Sequence, residues 1–358
     1  MAITVVVGAQ YGGEGKGKVV AHLAVADDAD FVVRCGGPNS GHTVQVHGLK
    51  YELKQVPAGF TNRRTRLLLA AGMVINPSLL LQEIAACALS PERIGVDANA
   101  VILESFDPER ERELLLRDRF GSTGVGMGSV VSRRVLRATG LRRATDIPEL
   151  KPYLTCVQAE LATAVGRDAR ILIEGTQGFG LSLYHTEEWP YCTSRDTTAG
   201  SFLGEVGLGP RGVQVIMAVR TFPIRVGGNS GPLARELSWT DVQTRSGYPH
   251  PIAEYTTTTK RLRRVASFDA ELVTRAVTAN SPSYLALHGV DYIDYKDHGA
   301  RSIDELSPST LKFVDELETL TKTPVGLIGT GPQVSDFIDR RTEAHSEKVQ
   351  WLAASGMR

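Results

Sequence analysis

The stretch ITVVVGAQYGGEGKGKVVAHLAVA, residues 3–26, decides the fold. It opens on an apolar, β-branched run, continues through a glycine-rich loop and ends in an apolar segment from Val19 that can begin a helix. Loop N–H groups and a helix N-terminus both attract anions, so a strand, loop and helix in this order form a cradle for phosphate. The stretch therefore predicts the first strand of an α/β fold, followed by a phosphate-binding loop.

This loop differs from a standard P-loop. Residues 12–18 fit the spacing G-x-x-x-x-G-K, but Val19 stands where that motif has a serine or threonine for magnesium. Lys16 and Lys18 can both bring positive charge to phosphates, and the sequence alone does not rank them.

The rest of the chain alternates between two periodicities. Helix-period segments at residues 77–88, 149–165 and 308–320 lie between apolar runs, and this alternation predicts an α/β fold around a central, mostly parallel twisted sheet. No repeat or long linker separates two units, so residues 1–358 are expected to form a single large domain. The predicted strands are residues 3–7, 31–34, 66–70, 169–173, 213–219, 284–287 and 325–328.

Composition limits the function classes. The 40 Lys and Arg residues balance 40 Asp and Glu residues, so the chain lacks the basic surplus that a protein binding a nucleic acid polymer usually has. No apolar run approaches the roughly 20 residues of a membrane span. We therefore expect a cytoplasmic protein with small-molecule partners.

Glycine-rich clusters mark the candidate site. They occur at residues 8–17, 36–41, 121–128, 175–180 and 227–231, several beside predicted strand ends. Glycine allows close backbone approach to a ligand, so five clusters indicate loops gathered around one nucleotide or polyanion. The second cluster places Asn39 and His42 three residues apart, and a histidine with an ordinary pKa near 6.5 can donate a proton at neutral pH.

These motifs together resemble the adenylosuccinate synthetase family. VVVGAQYGGEGKGK (residues 5–18) and PNSGHT (38–43) are followed in order by GSTGVGMG (121–128), EGTQGFGLSL (174–183) and WPYCTSRDTTAG (189–200). FPIRVGG (222–228), TTTTKRLRRVASFD (256–269) and GTGP (329–332) complete the series, which spans nearly the whole chain.

The resemblance implies a carbon–nitrogen ligase that works in two steps. A nucleoside triphosphate phosphorylates O6 of a 6-oxopurine monophosphate, and the amine of L-aspartate then displaces that phosphate. Mg²⁺ is the implied cofactor, and the implied assembly is a homodimer in which Arg137 reaches the active site of the neighbouring subunit.

The resemblance also implies a role for each matching residue. His42 is the implied acid, Lys16 stabilises phosphoryl charge and Gln177 helps to hold the purine. The implied binding residues are, for the purine monophosphate, Gly13, Asn39, Thr123, Arg137, Gln177, Thr193 and Val226; for the nucleoside triphosphate, Gly12, Gly15, Lys16, Gly17, Lys18, Gly41, His42, Thr43, Arg263, Asp291 and Gly331; for aspartate, Thr257, Thr258, Thr259 and Arg261; and for the metal, Gly13 and Gly41.

Position 13 departs from the family pattern. Gly13 replaces an aspartate that takes the N1 proton of the purine and ligates Mg²⁺. Loss of this side chain is expected to open a pocket beside N1 and C2, where guanine carries its extra amino group. The sequence thus favours dGMP as substrate and N6-succino-2-amino-2′-deoxyadenylate as product, as in the bacteriophage branch of the family.

The expected phosphoryl donor follows from a second departure. Gly289 replaces a lysine of the family's segment for the GTP base, while Asp291 retains a possible base contact, so ATP or dATP is expected. Two alternatives remain. One is an ordinary adenylosuccinate synthetase that uses IMP and GTP, with a water held by Glu14 as base; the other is a catalytically silent nucleotide-binding protein.

Overall fold

The computed structural model describes residues 2–257 and 260–341. Its centre is a ten-stranded sheet with strand order β17-β16-β15-β11-β1-β10-β2-β5-β7-β9. All neighbouring pairs in this sheet are parallel except the pair β16 and β17 at one edge. The predicted α/β class with a mostly parallel central sheet is confirmed.

The strands of the described residues are β1 Ala2–Gly8, β2 Phe31–Arg34, β3 His42–Val46, β4 Leu49–Leu53, β5 Arg66–Leu69, β6 Val74–Ile75, β7 Ile94–Asp97, β8 Val101–Ile102, β9 Leu154–Thr155, β10 Arg170–Glu174, β11 Val213–Arg220, β12 Ile224–Arg225, β13 Glu236–Leu237, β14 Arg264–Ala266, β15 Tyr284–His288, β16 Val325–Gly329 and β17 Phe337–Asp339.

The α-helices of the same residues are α1 Lys16–Ala26, α2 Pro77–Ala86, α3 Asp107–Glu113, α4 Leu116–Phe120, α5 Met127–Val135, α6 Val157–Gly166, α7 Ala199–Val206, α8 Trp239–Ser246, α9 Ala270–Asn280 and α10 Pro308–Thr321. None of them is long and apolar enough to cross a membrane.

The core consists of two apolar layers, one on each face of the sheet. In β1, Val5 and Val7 belong to one layer and Val6 to the other, and all three are fully buried. Successive side chains of a strand point to opposite faces, so a sheet covered on both sides needs apolar residues at every position. This explains why the strands read as continuous apolar runs.

One predicted helix is wrong in its first half. The segment at residues 149–165 begins as a 3₁₀ helix, Pro148–Tyr153, continues as β9 and becomes α6 only at Val157. Pro152 cannot donate a helical N–H bond, and β9 instead pairs with β7. The helix predicted at residues 77–88 ends at Ala86, because Ala88 has a left-handed φ of 49°. The helix predicted at 308–320 is confirmed within α10.

The parallel strands bring the predicted loops to one edge of the sheet. β1, β2, β10, β11, β15 and β16 all end at this edge, and the glycine clusters at residues 8–17, 36–41 and 175–180 follow three of them. Ligands of α/β proteins bind at the carboxyl ends of such strands. The fold therefore gathers loops that are far apart in the sequence around one site.

Candidate active site

A cleft of about 930 Å³ lies at this edge. Its size suits a nucleotide together with a smaller substrate. Most of the sequence-predicted residues line it: Gly12, Gly13, Gly15, Lys16, Gly17, Lys18, Asn39, Gly41, His42, Thr43, Thr123, Gln177, Val226, Thr257, Arg263, Asp291 and Gly331.

The phosphate loop is held by a buried carboxylate. Glu14 is fully buried, and its Oε1 accepts from the N–H groups of Gln10 at 3.1 Å and Gly12 at 2.8 Å. Its Oε2 accepts from Lys16 Nζ at 2.6 Å. Both carboxylate oxygens are occupied within the protein, so a water could bind Glu14 only after Lys16 has left it.

Lys18 lies beneath the loop. Its Nζ donates to the carbonyl oxygens of Gly331 and Asp336, each at 2.7 Å, and sits 4.0 Å from the ring centre of Phe337. Burial lowers the pKa of Lys18 to about 7. In this arrangement Lys18 ties α1 to the 329–336 segment, and its role in phosphate binding stays a prediction.

His42 is oriented by a buried ionic cluster. Its Nδ1 contacts Glu174, which also accepts from Arg34 Nη1 at 2.5 Å and from the Ala58 N–H at 2.7 Å. Burial, together with the nearby Arg34 charge, lowers the pKa of His42 to about 4. The imidazole is therefore neutral at pH 7. Its Nδ1 lies beside the Glu174 carboxylate and 2.9 Å from Arg34 Nη1, and the carboxylate contact favours a proton on Nδ1. Its Nε2 is buried and has no hydrogen-bond partner among the described residues.

This orientation gives His42 a defined function in proton transfer. A lone pair on Nε2 can take a proton when negative charge arrives, because an anion beside the ring raises its pKa. The ring can therefore act as an acid when an anionic group is close.

Position 13 is not an open pocket. A Cβ built on Gly13 would overlap Nη1 of Arg263 and lie 2.8 Å from Cδ1 of Ile224. These residues come from paired segments, since β12 carries Ile224 and Arg263 directly precedes β14. The end of the Arg263 side chain thus occupies the space beside Gly13, and the pocket expected there for a guanine amino group stays a prediction.

The described residues hold no cluster of side chains that would bind a metal by themselves. Among them, no group of three or more His, Cys, Asp or Glu side chains is placed to hold an ion. Gly13 has no carboxylate, and its carbonyl accepts from Arg220 Nη1 at 3.2 Å. Two guanidinium groups beside a predicted ligand oppose a divalent cation, so the protein itself offers little at Gly13 to bind Mg²⁺.

Asp291 lies at the end of the cleft where Tyr248, Tyr295 and His298 also line it. Its Oδ2 accepts from the Tyr248 hydroxyl at 2.8 Å, and His298 Nδ1 lies at 3.4 Å. Burial raises the pKa of Asp291 despite these partners. The Tyr295 ring packs 4.5 Å from that of Tyr248. Asp291 therefore presents an acceptor beside an aromatic surface, as a purine base requires.

Of the predicted residues that the structure describes, three do not line the cleft, namely Arg137, Thr193 and Arg261. Arg137 is exposed at the end of α5, and Thr193 donates its N–H to the Leu181 carbonyl at 2.8 Å. Arg261 donates its N–H to Thr256 Oγ1 at 3.0 Å and lies outside the lining. Thr258 and Thr259 lie outside the described residues.

Several site residues were missed by the sequence reasoning. Arg34 and Glu174 end apolar strands, and a charge at the carboxyl end of a buried strand is a signal that could have identified them. Glu254, which pairs with Arg220, and Tyr248 lie in irregular segments with no comparable signal.

The site belongs to a nucleotide-binding enzyme. It combines strand-end loops around a phosphate cradle with a neutral histidine that a buried carboxylate orients. Comparison with known proteins identifies the family: the model described as adenylosuccinate synthetase matches residues 5–148 and 144–298. The chain belongs to the adenylosuccinate synthetase family. It is accordingly a carbon–nitrogen ligase that condenses a purine nucleotide with aspartate.

Similar proteins come from archaea, a phage and a eukaryote. The chain is 40% identical to adenylosuccinate synthetase from Pyrococcus sp. (strain ST700), over 95% of this chain and 99% of that protein. It is 38% identical to the Archaeoglobus fulgidus enzyme, over 96% and 99%. Succinoaminodeoxyadenylate synthetase of cyanophage S-2L, solved with dGMP and with dATP as energy donor, matches with a TM-score of 0.80, 27% identity and coverage of 97% and 99%.

A fourth comparison concerns the fold alone. The Plasmodium falciparum adenylosuccinate synthetase matches with a TM-score of 0.83 at 23% identity, over 94% of this chain and 99% of that one. Identity to the archaeal enzymes exceeds identity to the cyanophage enzyme. The family is thus established, whereas a special relation to the phage branch is not.

Proposed function

We propose that this protein joins L-aspartate to C6 of IMP with GTP as phosphoryl donor, which is the reaction that names its archaeal relatives. The observation that carries this proposal is His42, oriented by Glu174 and kept neutral by burial and the Arg34 charge, with Nε2 unpartnered at the cleft among the described residues. The room expected for a guanine amino group at Gly13 is occupied by Arg263, so the argument for dGMP is weaker than the sequence suggested.

In this proposal His42 binds and donates the proton that is transferred in the phosphoryl step. Negative charge on the γ-phosphate raises the pKa of His42, so Nε2 binds a proton and donates it to the oxygen where charge develops. Lys16 leaves Glu14 to meet the phosphates, and Gln177 holds the purine between them. Electrostatic stabilisation of this kind is the main contribution to phosphoryl transfer.

Aspartate would enter from the 256–261 segment. Thr257 lines the cleft, and a Cβ on Gly41 would lie 2.7 Å from the Thr257 side chain, so this segment already packs on the loop of His42. Arg261 would turn inward to form a bidentate pair with an aspartate carboxylate. Thr258 and Thr259 are proposed as further aspartate contacts.

A second candidate substrate is dGMP, with ATP or dATP as donor. Gly13 favours it, because this position has no carboxylate to accept the N1 proton of IMP. Gly289 favours an adenine nucleotide as donor, because it replaces the lysine of the family's segment for the GTP base. The cyanophage enzyme that is similar in structure was solved with dGMP and dATP.

A substrate panel tests the proposal. Phosphate release is measured with IMP, dIMP, GMP or dGMP, each with GTP, ATP or dATP, with and without L-aspartate. Aspartate-dependent release with IMP and GTP supports the first candidate, and release restricted to dGMP supports the second. Nucleotide binding without any aspartate-dependent turnover would refute both. The matched control is His42→Asn, which we expect to bind nucleotides but to lose turnover.

We also propose a homodimer in which Arg137 binds the purine 5′-phosphate of the neighbouring active site. Arg137 lies outside its own cleft, beside Val135 and Leu136, which are 71% and 77% exposed. Arg137→Leu and His42→Asn proteins should each be inactive. Mixed subunits should recover roughly a quarter of wild-type activity, because half of the dimers are hybrids with one intact site. No recovery from subunits shown to exchange would contradict shared sites.

A further inference from the structure

A second histidine, His288, lies against the phosphate loop. It is the last residue of β15, is 8% exposed and lines the cleft. A Cβ built on Gly15 would lie 2.8 Å from Cε1 and 2.9 Å from Nε2 of the His288 ring. His42 packs on the same loop, since a Cβ on Gly17 would lie 2.6 Å from the Cβ of His42. Two buried histidines therefore border this loop.

The surroundings of the His288 ring fix its position. The His288 carbonyl accepts from the Thr221 N–H at 3.0 Å, and β15 pairs with β11 on one side and β16 on the other. A Cβ on Gly329 would lie 2.8 Å from Nδ1 of the ring. The Phe337 ring packs against the imidazole, with 5.2 Å between the ring centres. The imidazole thus has little freedom to turn away from the loop.

One ring nitrogen of His288 is left without a partner. Nε2 is buried and forms no hydrogen bond with any of the described residues. Burial, together with the charges of the nearby Lys18 and Arg220, lowers the pKa of His288 well below its ordinary value. The ring is therefore neutral at pH 7, and a neutral imidazole with its proton on Nε2 is a hydrogen-bond donor. A buried donor of this kind needs an acceptor.

The start of α1, beside His288, can hold an anion. The first N–H groups of α1 have no acceptor within the helix, and Gly15, the residue before it, has no side chain to cap them. Helix N-termini of this kind bind phosphate. Because Nε2 of His288 packs on the loop at Gly15, where α1 begins, a phosphate bound to these amides can supply the acceptor that Nε2 lacks.

We infer that His288 is a phosphate-binding residue, whose Nε2 donates a hydrogen bond to a phosphate oxygen of the phosphoryl donor. This role rests on the proposed function, because it requires the phosphoryl donor to bind at the loop. No covalent bond forms or breaks in the contact, and the ring stays neutral. Since the phosphate groups are common to the candidate donors, His288 should contribute equally to the binding of GTP, ATP and dATP.

The test compares variants of His288 for the binding of GTP, ATP and inorganic tripolyphosphate. Affinity is measured by isothermal titration calorimetry, without purine monophosphate or aspartate. His288→Leu removes the donor and should weaken the binding of all three ligands about 10- to 150-fold, which is the usual value of a hydrogen bond to a charged group. His288→Gln places an amide N–H near the position of Nε2 and should bind within about fivefold of wild type. His288→Asn places its amide near Nδ1 instead and should bind as weakly as His288→Leu.

His22→Leu is the matched control, because His22 belongs to α1 but lies outside the lining of the cleft. Its loss should leave all three affinities unchanged, and circular dichroism shows whether each variant is folded. Equal tripolyphosphate affinity in folded His288→Leu and wild type would overturn the inference, as would equal losses in the Leu and Gln variants.

A loss confined to GTP and ATP would also overturn it, because His288 would then contact the base or the sugar and not the phosphates. The proposed function fails in a different way. A wild-type protein that binds tripolyphosphate through His288, but shows no aspartate-dependent turnover with any donor, would count against the proposed function alone.

Discussion

A side chain restored at position 13 should destabilise the protein, and an aspartate should do so less than an alanine. Gly13 has a φ of 75°, which costs a residue with a Cβ about 1–2 kcal/mol. The new Cβ would also overlap Arg263 and press on Ile224, which is 1% exposed and has little freedom to move. Overpacking of this kind costs about 1–3 kcal/mol, so Gly13→Ala should lose about 2–5 kcal/mol in all.

Gly13→Asp introduces the same Cβ together with a carboxylate beside the unpaired Arg263. A partly buried charge-assisted pair is worth about 1.5–3 kcal/mol, so the aspartate variant should be more stable than the alanine variant by at least about 1 kcal/mol. Urea unfolding at constant m measures both differences. An alanine variant as stable as wild type, or an aspartate variant less stable than alanine, would refute this account of the Gly13 environment.

Three further predictions concern the cleft. Glu174→Gln should lower the free energy of unfolding in urea by about 3–5 kcal/mol, because it leaves the charge of Arg34 buried without a full partner. Turnover should also fall at least about a hundredfold, because His42 loses its orientation. Folding lowers the pKa of His42 to about 4, so the neutral ring stabilises the folded state fully above pH 6.5. As pH falls from 6.5 to 4, the free energy of unfolding should decrease by about 3 kcal/mol. The urea midpoint of His42→Asn should fall less over this range. Tyr248→Phe frees Asp291 Oδ2 to accept a hydrogen bond from a nucleotide base. Guanine offers two adjacent donors and adenine one, so the KM for GTP should drop relative to the KM for ATP by about five- to tenfold in steady-state assays.

The sequence predicted the buried strands well because their signal is local. All seven predicted runs fall on strands of the central sheet, where burial on both faces requires continuous apolar residues. Strands such as β6, β8 and β12 have only two residues and carry no periodicity of their own. Their existence depends on partners that the sequence does not place.

The site residues, like the strands, could be predicted only where a local sequence pattern marks them. His42 follows from its motif, and Lys16 from its loop, because both stand in short patterns with a direct physical meaning. The orientation of His42 depends on Glu174, which reaches it only through the register between β2 and β10. Likewise, nothing near Gly13 in the sequence reveals that Arg263 fills its space.

The cations of the cleft differ in how completely protein groups already neutralise their charge. This difference decides which of them can bind an incoming anion without first breaking an existing ion pair. Lys16 is paired with Glu14, and Arg220 with Glu254, so a phosphate must compete with a carboxylate for either. Lys18 is bound to two carbonyl groups, and burial favours its neutral form. Within the described part of the chain, Arg263 meets an anion without first giving up an ion pair. A chain with no net charge can thus bind an anionic nucleotide, because several of its positive charges, those of Lys16, Arg220 and Arg263, are gathered in one cleft.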